Sequence, residues 1–248
     1  TSPGQQQPVI EWLDKYTIME DLVINDISSE TSMLAVIGPD AGKLIDLTPN
    51  QLAQDSLTVQ SINLGGIDVI AVEQPLGSLS RYWLIVESKN AARLWQHLTE
   101  KGATPLGVNA MDAVRVNYGV PEYGPELGEP YNPLEAGLIG SVDFTKGCYI
   151  GQEVIARLDS YKKVKRYLVS LSFDATATVS SGDELTKDGQ AVGTVTSVAP
   201  EPSGGILKGL GYVKAANAAP GTRLEVSGQE NASADIITLA QPFGPAKG

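Results

Sequence analysis

The sequence predicts an α+β protein that ends in a small β-barrel. Up to residue 160, apolar residues at helical spacing alternate with short β-rich runs, which indicates a mixture of helices and strands. From Lys165 onward, short β-rich runs follow one another with no helical pattern between them, at residues 167–173, 191–198, 207–213, 223–227 and 236–239. Strands at that spacing, separated by Gly, Pro, Asp and Asn, are typical of a small all-β barrel or sandwich.

Residues 1–102 alternate between the two patterns. Apolar residues at helical spacing near the amino terminus predict a core-facing helix; they are Val9, Trp12, Leu13 and Tyr16. β-rich runs predict strands at residues 22–24, 33–37, 62–64, 67–70 and 82–86, with the Gly65-Gly66 pair as a hairpin turn. Further helices are predicted over residues 38–47 and 91–102, and His97 falls on the polar side of the second as an exposed bystander.

Composition excludes several classes of function. The 18 basic and 29 acidic residues give a formal net charge of −11, which argues against general binding to nucleic acid or to an anionic membrane. No run approaches the ~20 consecutive apolar residues of a membrane span. Cys148 is the only cysteine and His97 the only histidine, which excludes an internal disulfide, a Cys/His zinc site and an iron–sulfur cluster held by this chain alone. We therefore expect a protein of a reducing compartment, cytoplasmic or in an organellar matrix.

Residues 103–150 break the regular pattern. Residues 111–118 predict a short helix, but prolines and glycines then exclude regular elements; they are Gly119, Pro121, Gly124, Pro125, Gly128, Pro130 and Pro133. A long irregular loop inside a compact chain is usually functional or disordered. The tyrosines and glutamates of this one favour an ordered loop that forms a site.

The segment from Lys146 to Arg157 carries one chemical motif. A tight turn bracketed by two glycines precedes a predicted helix over residues 152–158. Cys148 therefore lies just ahead of a helix amino terminus and two residues from Lys146, and both features stabilise a thiolate. The spacing alone leaves open a reactive thiol or a small buried structural side chain.

A second candidate is Glu135, within Asn-Pro-Leu-Glu-Ala-Gly-Leu (132–138). A carboxylate in an apolar setting constrained by Gly and Pro is costly unless it is paired. A heterocycle with two parallel N–H donors, such as a pterin or guanine ring, would satisfy it in a bidentate way. Alternatively, Glu135 caps a helix or pairs with Arg115.

The basic run Lys162, Lys163, Lys165 and Arg166 lies where the helical pattern gives way to the β-rich one. A run of this kind is most simply a solvated linker, and an anion site is the alternative.

Three motifs resemble those of the YgfZ-type folate-binding proteins, which are relatives of the glycine cleavage T protein. In chain order they are Arg-Val-Asn-Tyr-Gly-Val-Pro (115–121), Pro-Leu-Glu-Ala-Gly-Leu (133–138) and Lys-Gly-Cys-Tyr-Ile-Gly-Gln-Glu (146–153) followed by Ala-Arg (156–157). They come in the family's order and at similar spacing. The resemblance extends from about residue 8 to 165 and, more weakly, through the β-rich tail.

The resemblance implies a glycine cleavage T protein-like folate-binding fold over residues 1–164, a barrel domain over 165–241 and a tail over 242–248. It also implies a tetrahydrofolate derivative, or one of its one-carbon forms, in a central cavity. Glu135 would grip the pterin, and the folate-binding set would be completed by Arg115, Tyr149 and Arg157. Cys148 and Lys146 would lie close to the folate as the reactive pair.

The function implied is that of an accessory factor in iron–sulfur cluster assembly or repair, with client or assembly proteins as partners and enzymatic turnover left open. A folate-dependent aminomethyltransferase is the alternative, disfavoured because transferase relatives usually lack a cysteine at the position of Cys148. A further alternative is a remnant that folds but binds nothing. Family members normally carry a segment before the helix of Trp12 that lines the cavity, and we expect this chain to be incomplete there.

Overall fold

The computed structural model describes residues 1–47, 58–160, 164–174, 176–200, 204–229 and 232–240. The chain divides into two units, Thr1–Pro105 and Leu106–Gly248, which are described separately below. The domain boundary expected after residue 164 stays a prediction. The expected tail over residues 242–248, together with Lys162 and Lys163 of the basic run, lies outside the described residues.

The first unit is built on a four-stranded antiparallel sheet of order β1-β4-β3-β2. Its strands are β1 (Thr31–Gly38), β2 (Thr58–Leu64), β3 (Ile67–Glu73) and β4 (Ser80–Glu87). Gly65 and Gly66 join β2 to β3 with φ angles of +57° and +76°. A hairpin turn with two left-handed residues matches the twist of its strands, so the predicted hairpin is confirmed.

Two helices cover one face of this sheet, α2 (Ala41–Leu44) and α3 (Ala91–Glu100). Leu94 and Leu98 of α3 are buried in one cluster with Ile45, Leu84 and Val86. His97, predicted to be exposed, is half-buried, because its ring lies against the Gly65 turn. None of the described helices is long and apolar enough to cross a bilayer.

The first helix, α1 (Gln6–Tyr16), forms where the periodicity predicts it, but the prediction that it faces a core is wrong. None of its side chains is buried, and Trp12 is 55% exposed. The strand predicted at residues 22–24 is also absent: the segment has no regular structure and Val23 is 76% exposed. An apolar pattern shows that a face or a strand could be buried, but it does not show that a partner surface is available.

The second unit contains a closed six-stranded antiparallel barrel of order β10-β5-β8-β7-β6-β9, which confirms the predicted barrel. The strands are β5 (Arg166–Asp174), β6 (Glu184–Lys187), β7 (Gln190–Val198), β8 (Ile206–Lys214), β9 (Arg223–Val226) and β10 (Ser233–Leu239). Five of them match the predicted β-rich runs. The short β6 was missed because its four residues include one apolar side chain, Leu185, too few to show alternation.

The outer surface of the barrel positions the candidate site. Odd-numbered residues of β5, such as Val169 and Leu171, fill the barrel, whereas Leu168 packs outside it. Two further helices belong to this unit, α4 (Val108–Asn117) and α5 (Gln152–Ser160). Val116 of α4 and Ala136 of the Pro-Leu-Glu-Ala-Gly-Leu turn share a buried cluster with Leu168, so both motifs are fixed against the barrel wall.

Candidate functional site

The Arg-x-x-x-Gly spacing of the first motif is the signature of a helix end. The amide of Gly119 donates to the Val116 carbonyl at 3.1 Å, and that of Val120 to the Arg115 carbonyl at 2.9 Å. With Gly119 at φ +70°, these bonds form a Schellman motif that ends α4. A β-carbon at Gly119 would lie 2.9 Å from Ser170 Oγ, so the glycine also lets the helix end approach the barrel.

The side chain of Arg115 is committed to a buried network on the same surface. Its Nη1 lies 3.1 Å from Oε2 of the fully buried Glu126, and its Nη2 donates to Ser197 Oγ at 2.9 Å. Ser197 Oγ donates in turn to Glu126 Oε1 at 2.6 Å. Asp112 lies 2.5 Å from Arg115 Nε. The network ties α4 and the following loop to β7, and a folate contact for Arg115 stays a prediction.

Glu135 closes a single helical turn. Asn132 Oδ1 accepts the amides of Leu134 and Glu135, each at 3.0 Å, and Glu135 Oε2 accepts the Asn132 amide at 3.3 Å. These reciprocal bonds are those of a capping box, with Pro133 at the first helical position. The capping alternative raised for Glu135 is therefore realised, whereas the Arg115 pairing is not.

The cation beside Glu135 is Arg166, a residue that the sequence pattern placed in a linker. Arg166 Nε lies 3.3 Å from Glu135 Oε2, and its Nη2 donates to the Pro130 carbonyl. The linker interpretation is wrong for Arg166 because this residue begins β5, and the Leu168 amide bonds the Glu135 carbonyl at 2.8 Å, which brings the two side chains together. Lys165 is exposed.

A cavity of about 180 Å³ adjoins this pair. It is lined by Leu134, Glu135, Gly137, Ile139, Leu158, Val164, Tyr167, Leu168, Leu239 and Ala240. Glu135 is the one ionisable carboxylate among these lining residues, and it is 6% exposed. The turn contributes one wall, the last turn of α5 another, and the ends of β5 and β10 the floor. Among the described residues, the lining of the cavity is thus mostly apolar and includes one acidic residue, Glu135.

Cys148 lies in the loop that leads into α5. Asp143 Oδ1 organises this loop by accepting the Thr145 amide at 2.8 Å, the Thr145 hydroxyl at 2.8 Å and the Lys146 amide at 3.0 Å. The bonds from Thr145, followed by those from Lys146, lower the pKa of Asp143 below its ordinary value. Cys148 is a free, exposed thiol. The alternative interpretation, a small buried structural side chain, is therefore wrong for Cys148.

The remaining predicted residues lie near this loop and not on the cavity. Lys146 Nζ lies 4.8 Å from the centre of the Tyr149 ring. The side chain of Arg157 is 68% exposed and lies 3.9 Å from that of Glu153, one turn earlier on α5. The cavity lining includes Glu135 but none of Arg115, Lys146, Cys148, Tyr149 and Arg157. Their assigned roles toward a folate stay predictions.

Comparison with known families identifies both parts of the chain. Residues 1–146 match the family model described as the GCVT N-terminal domain. Residues 166–243 match the model described as the glycine cleavage T-protein C-terminal barrel domain. The second match covers the six barrel strands described above.

Individual relatives agree with this assignment. The chain is 33% identical over 228 residues to At1g60990 of Arabidopsis thaliana, a chloroplastic protein provisionally named a transferase, and the match covers 91% of this chain and 52% of that protein. It is 34% identical over 224 residues to an aminomethyltransferase of Herpetosiphon aurantiacus, with 87% of this chain and 60% of that one covered. The chain therefore spans roughly half to two thirds of these relatives' length.

One solved structure matches nearly the whole fold. The glycine cleavage system aminomethyltransferase T from Bartonella henselae superposes with a TM-score of 0.76 over 98% of this chain and 67% of that one, at 21% sequence identity. This likeness confirms the predicted glycine cleavage T protein-like fold.

Proposed function

Because this chain belongs to the glycine cleavage T-protein family, we propose that it binds a tetrahydrofolate derivative, with the pterin ring in the cavity beside Glu135. The support is chemical. A pterin presents a flat ring system and N–H donors, and the cavity offers apolar walls and one carboxylate. At about 180 Å³ the cavity is smaller than the ~300–1,000 Å³ of most ligand pockets, so it encloses a ring system and leaves the rest of a folate outside.

We propose further that the protein is a YgfZ-type accessory factor that acts on iron–sulfur proteins. The observation that carries this proposal is the exposed Cys148 in an ordered Lys-Gly-Cys loop. One thiol cannot hold a cluster, which needs about four thiolates, but an accessible one can engage a client transiently.

The second candidate is a folate-dependent aminomethyltransferase. The observation that favours it is the set of relatives named aminomethyltransferase, among them the Herpetosiphon protein. In that case the pterin cavity would serve the transfer of a one-carbon unit, and Cys148 would be dispensable. The two proposals therefore differ in what they require of one side chain.

A complementation assay separates them. In cells that lack the protein, we expect Cys148→Ser to leave client iron–sulfur enzymes inactive while the purified variant still binds tetrahydrofolate. The matched control moves the thiol: Cys148→Ser combined with Ser141→Cys keeps one exposed cysteine, at another position of the same loop region. This double variant should also leave the client enzymes inactive. Full activity of the clients with Cys148→Ser would reject the accessory role.

The transferase proposal has its own test. Purified protein is incubated with tetrahydrofolate and an aminomethyl donor, and the methylenetetrahydrofolate and ammonia released are measured. Turnover that survives Cys148→Ser would establish the transferase, and its absence in a protein that binds folate would support the accessory role.

A further inference from the structure

Arg166 has three separate attachments beside the cavity. Its Nε faces Glu135 Oε2, its Nη2 donates to the Pro130 carbonyl, and its guanidinium carbon lies 4.6 Å from the centre of the Tyr131 ring. Tyr131 is itself stacked on Tyr212, with ring centres 3.8 Å apart and planes inclined by 9°. A guanidinium held by a carboxylate, a carbonyl and an aromatic face is fixed in both position and orientation.

The aromatic support is anchored to the barrel. Tyr212, on β8, is 4% exposed and donates its hydroxyl to the Glu126 carbonyl at 2.9 Å. Burial, with the neighbouring Tyr131 as the next cause, raises the pKa of Tyr212, so its hydroxyl stays protonated as a donor at neutral pH. The stack beneath Arg166 is therefore part of the barrel wall and not a surface arrangement of mobile side chains.

The two oxygens of Glu135 differ. Oε2 accepts the Asn132 amide and lies against Arg166, whereas Oε1 has no hydrogen-bond partner among the described residues. Within the described part of the chain, Thr196 Oγ1 is the side-chain atom that is both sealed from solvent and without a partner. Glu135 Oε1 is therefore not sealed from solvent, and Glu135 is among the residues that line the cavity.

We propose that Arg166 is a positioning residue for the Glu135 carboxylate. It holds Glu135 Oε2, so that Oε1 is the atom left to accept N–H groups from a ligand in the cavity. The inference rests on the proposed pterin site and assigns to it a residue that the motifs do not include. Arg166 is absent from the cavity lining, so its effect on the ligand passes through Glu135.

A double-mutant cycle with free pterin as the probe tests this assignment. Pterin dissociation constants are measured by fluorescence for the wild type, Arg166→Met, Glu135→Gln and the double variant. We expect Arg166→Met to weaken binding about ten-fold with Glu135 present, the size of a lost charge-assisted hydrogen bond. In the Glu135→Gln background it should change binding less than about two-fold, because the two residues act as one unit. Arg166→Lys, which keeps the charge, should recover part of the loss.

The matched control is Arg223→Met, which removes an exposed barrel arginine 3.9 Å from Asp235 and should leave pterin binding unchanged. Denaturant unfolding of every variant confirms that each is folded. Should Arg166→Met fail to fold, Arg166→Lys takes its place in the double-mutant cycle. Equal weakening in the wild-type and Glu135→Gln backgrounds would overturn the positioning role. Loss of binding in Glu135→Gln with none in Arg166→Met would also overturn it while leaving the proposed function intact. A wild-type protein that binds no pterin would overturn both.

Discussion

Asn132 and Glu135 satisfy each other's backbone amides: Asn132 Oδ1 accepts the Glu135 amide at 3.0 Å, and Glu135 Oε2 accepts the Asn132 amide at 3.3 Å. This reciprocal pair of hydrogen bonds fixes the turn that carries Glu135, the carboxylate proposed to bind the ligand. The same Oε2 also forms an ion pair with Arg166. The carboxylate is therefore held both by a backbone amide of its own turn and by the first residue of β5. A structural role and the proposed ligand-binding role thus fall on one side chain, whose second oxygen has no hydrogen-bond partner among the described residues.

Removing the cap should loosen this turn. Asn132→Ala deletes the acceptor of two amides, and we expect the free energy of unfolding to fall by about 1 kcal/mol, the usual value of a helix cap. Asn132→Asp keeps an acceptor and should stay near wild type. Urea unfolding of both variants measures the difference, and equal stabilities would show that the cap contributes nothing.

The buried network around Arg115 predicts a larger effect. Arg115→Met leaves Glu126, which is fully buried, without its cation, and we expect a loss of about 3–5 kcal/mol in the free energy of unfolding. Replacing both residues, as Arg115→Met with Glu126→Leu, should cost less than the single change because no buried charge remains. A double variant less stable than Arg115→Met would contradict this account of the network.

The first helix should contribute little to the stability of its unit. Leu13, on α1, is 45% exposed, whereas Leu94, on α3, is fully buried. We expect Leu13→Ala to change the free energy of unfolding by less than about 0.5 kcal/mol and Leu94→Ala to lower it by about 2–5 kcal/mol. Thermal or urea unfolding of the isolated chain compares them. A cost above about 1 kcal/mol for Leu13→Ala would show that α1 packs on a surface in solution.

Local patterns predicted most of the regular structure because the information lies within one element. The Gly65-Gly66 hairpin and the helix containing Val116 follow from neighbouring residues and formed as expected. Whether a face becomes buried depends on a second surface, which is why α1 and residues 22–24 departed from prediction. The short β6 is stabilised by its neighbours β7 and β9 and has no distinct pattern of its own.

The same limit applies to the candidate site. The Asn-Pro-Leu-Glu order contains the capping box, so that role of Glu135 can be read from four adjacent residues. The partner Arg166 lies far along the chain and meets Glu135 only because β5 docks beside the turn. The Arg115–Glu126 pairing likewise depends on a loop folding back onto the barrel. Neither Arg166, at the start of a strand, nor Arg115, inside a helix, carries a local signal of its partner.

The loop of Cys148 should depend on pH through Asp143. Since hydrogen bonds from Thr145 and Lys146 lower the folded-state pKa of Asp143, the order it confers is fully present at neutral pH. It is lost only as pH falls through that lowered value, below the ordinary Asp pKa of about 3.9. The Thr145 and Lys146 amide resonances, followed by NMR, should titrate together in that range. In Asp143→Asn they should not titrate there, and a midpoint above about pH 5 in the wild type would contradict the assignment.

The most direct test of the central claim is calorimetric titration of tetrahydrofolate into the wild type, Glu135→Ala and the matched control Glu129→Ala, an exposed glutamate of the same loop. We expect binding by the wild type and by Glu129→Ala with equal affinity. Glu135→Ala should bind at least about ten-fold more weakly, since its cavity has lost the acceptor for the ring N–H groups. Binding by Glu135→Ala as tight as that of the wild type would contradict the claim that this carboxylate receives the pterin.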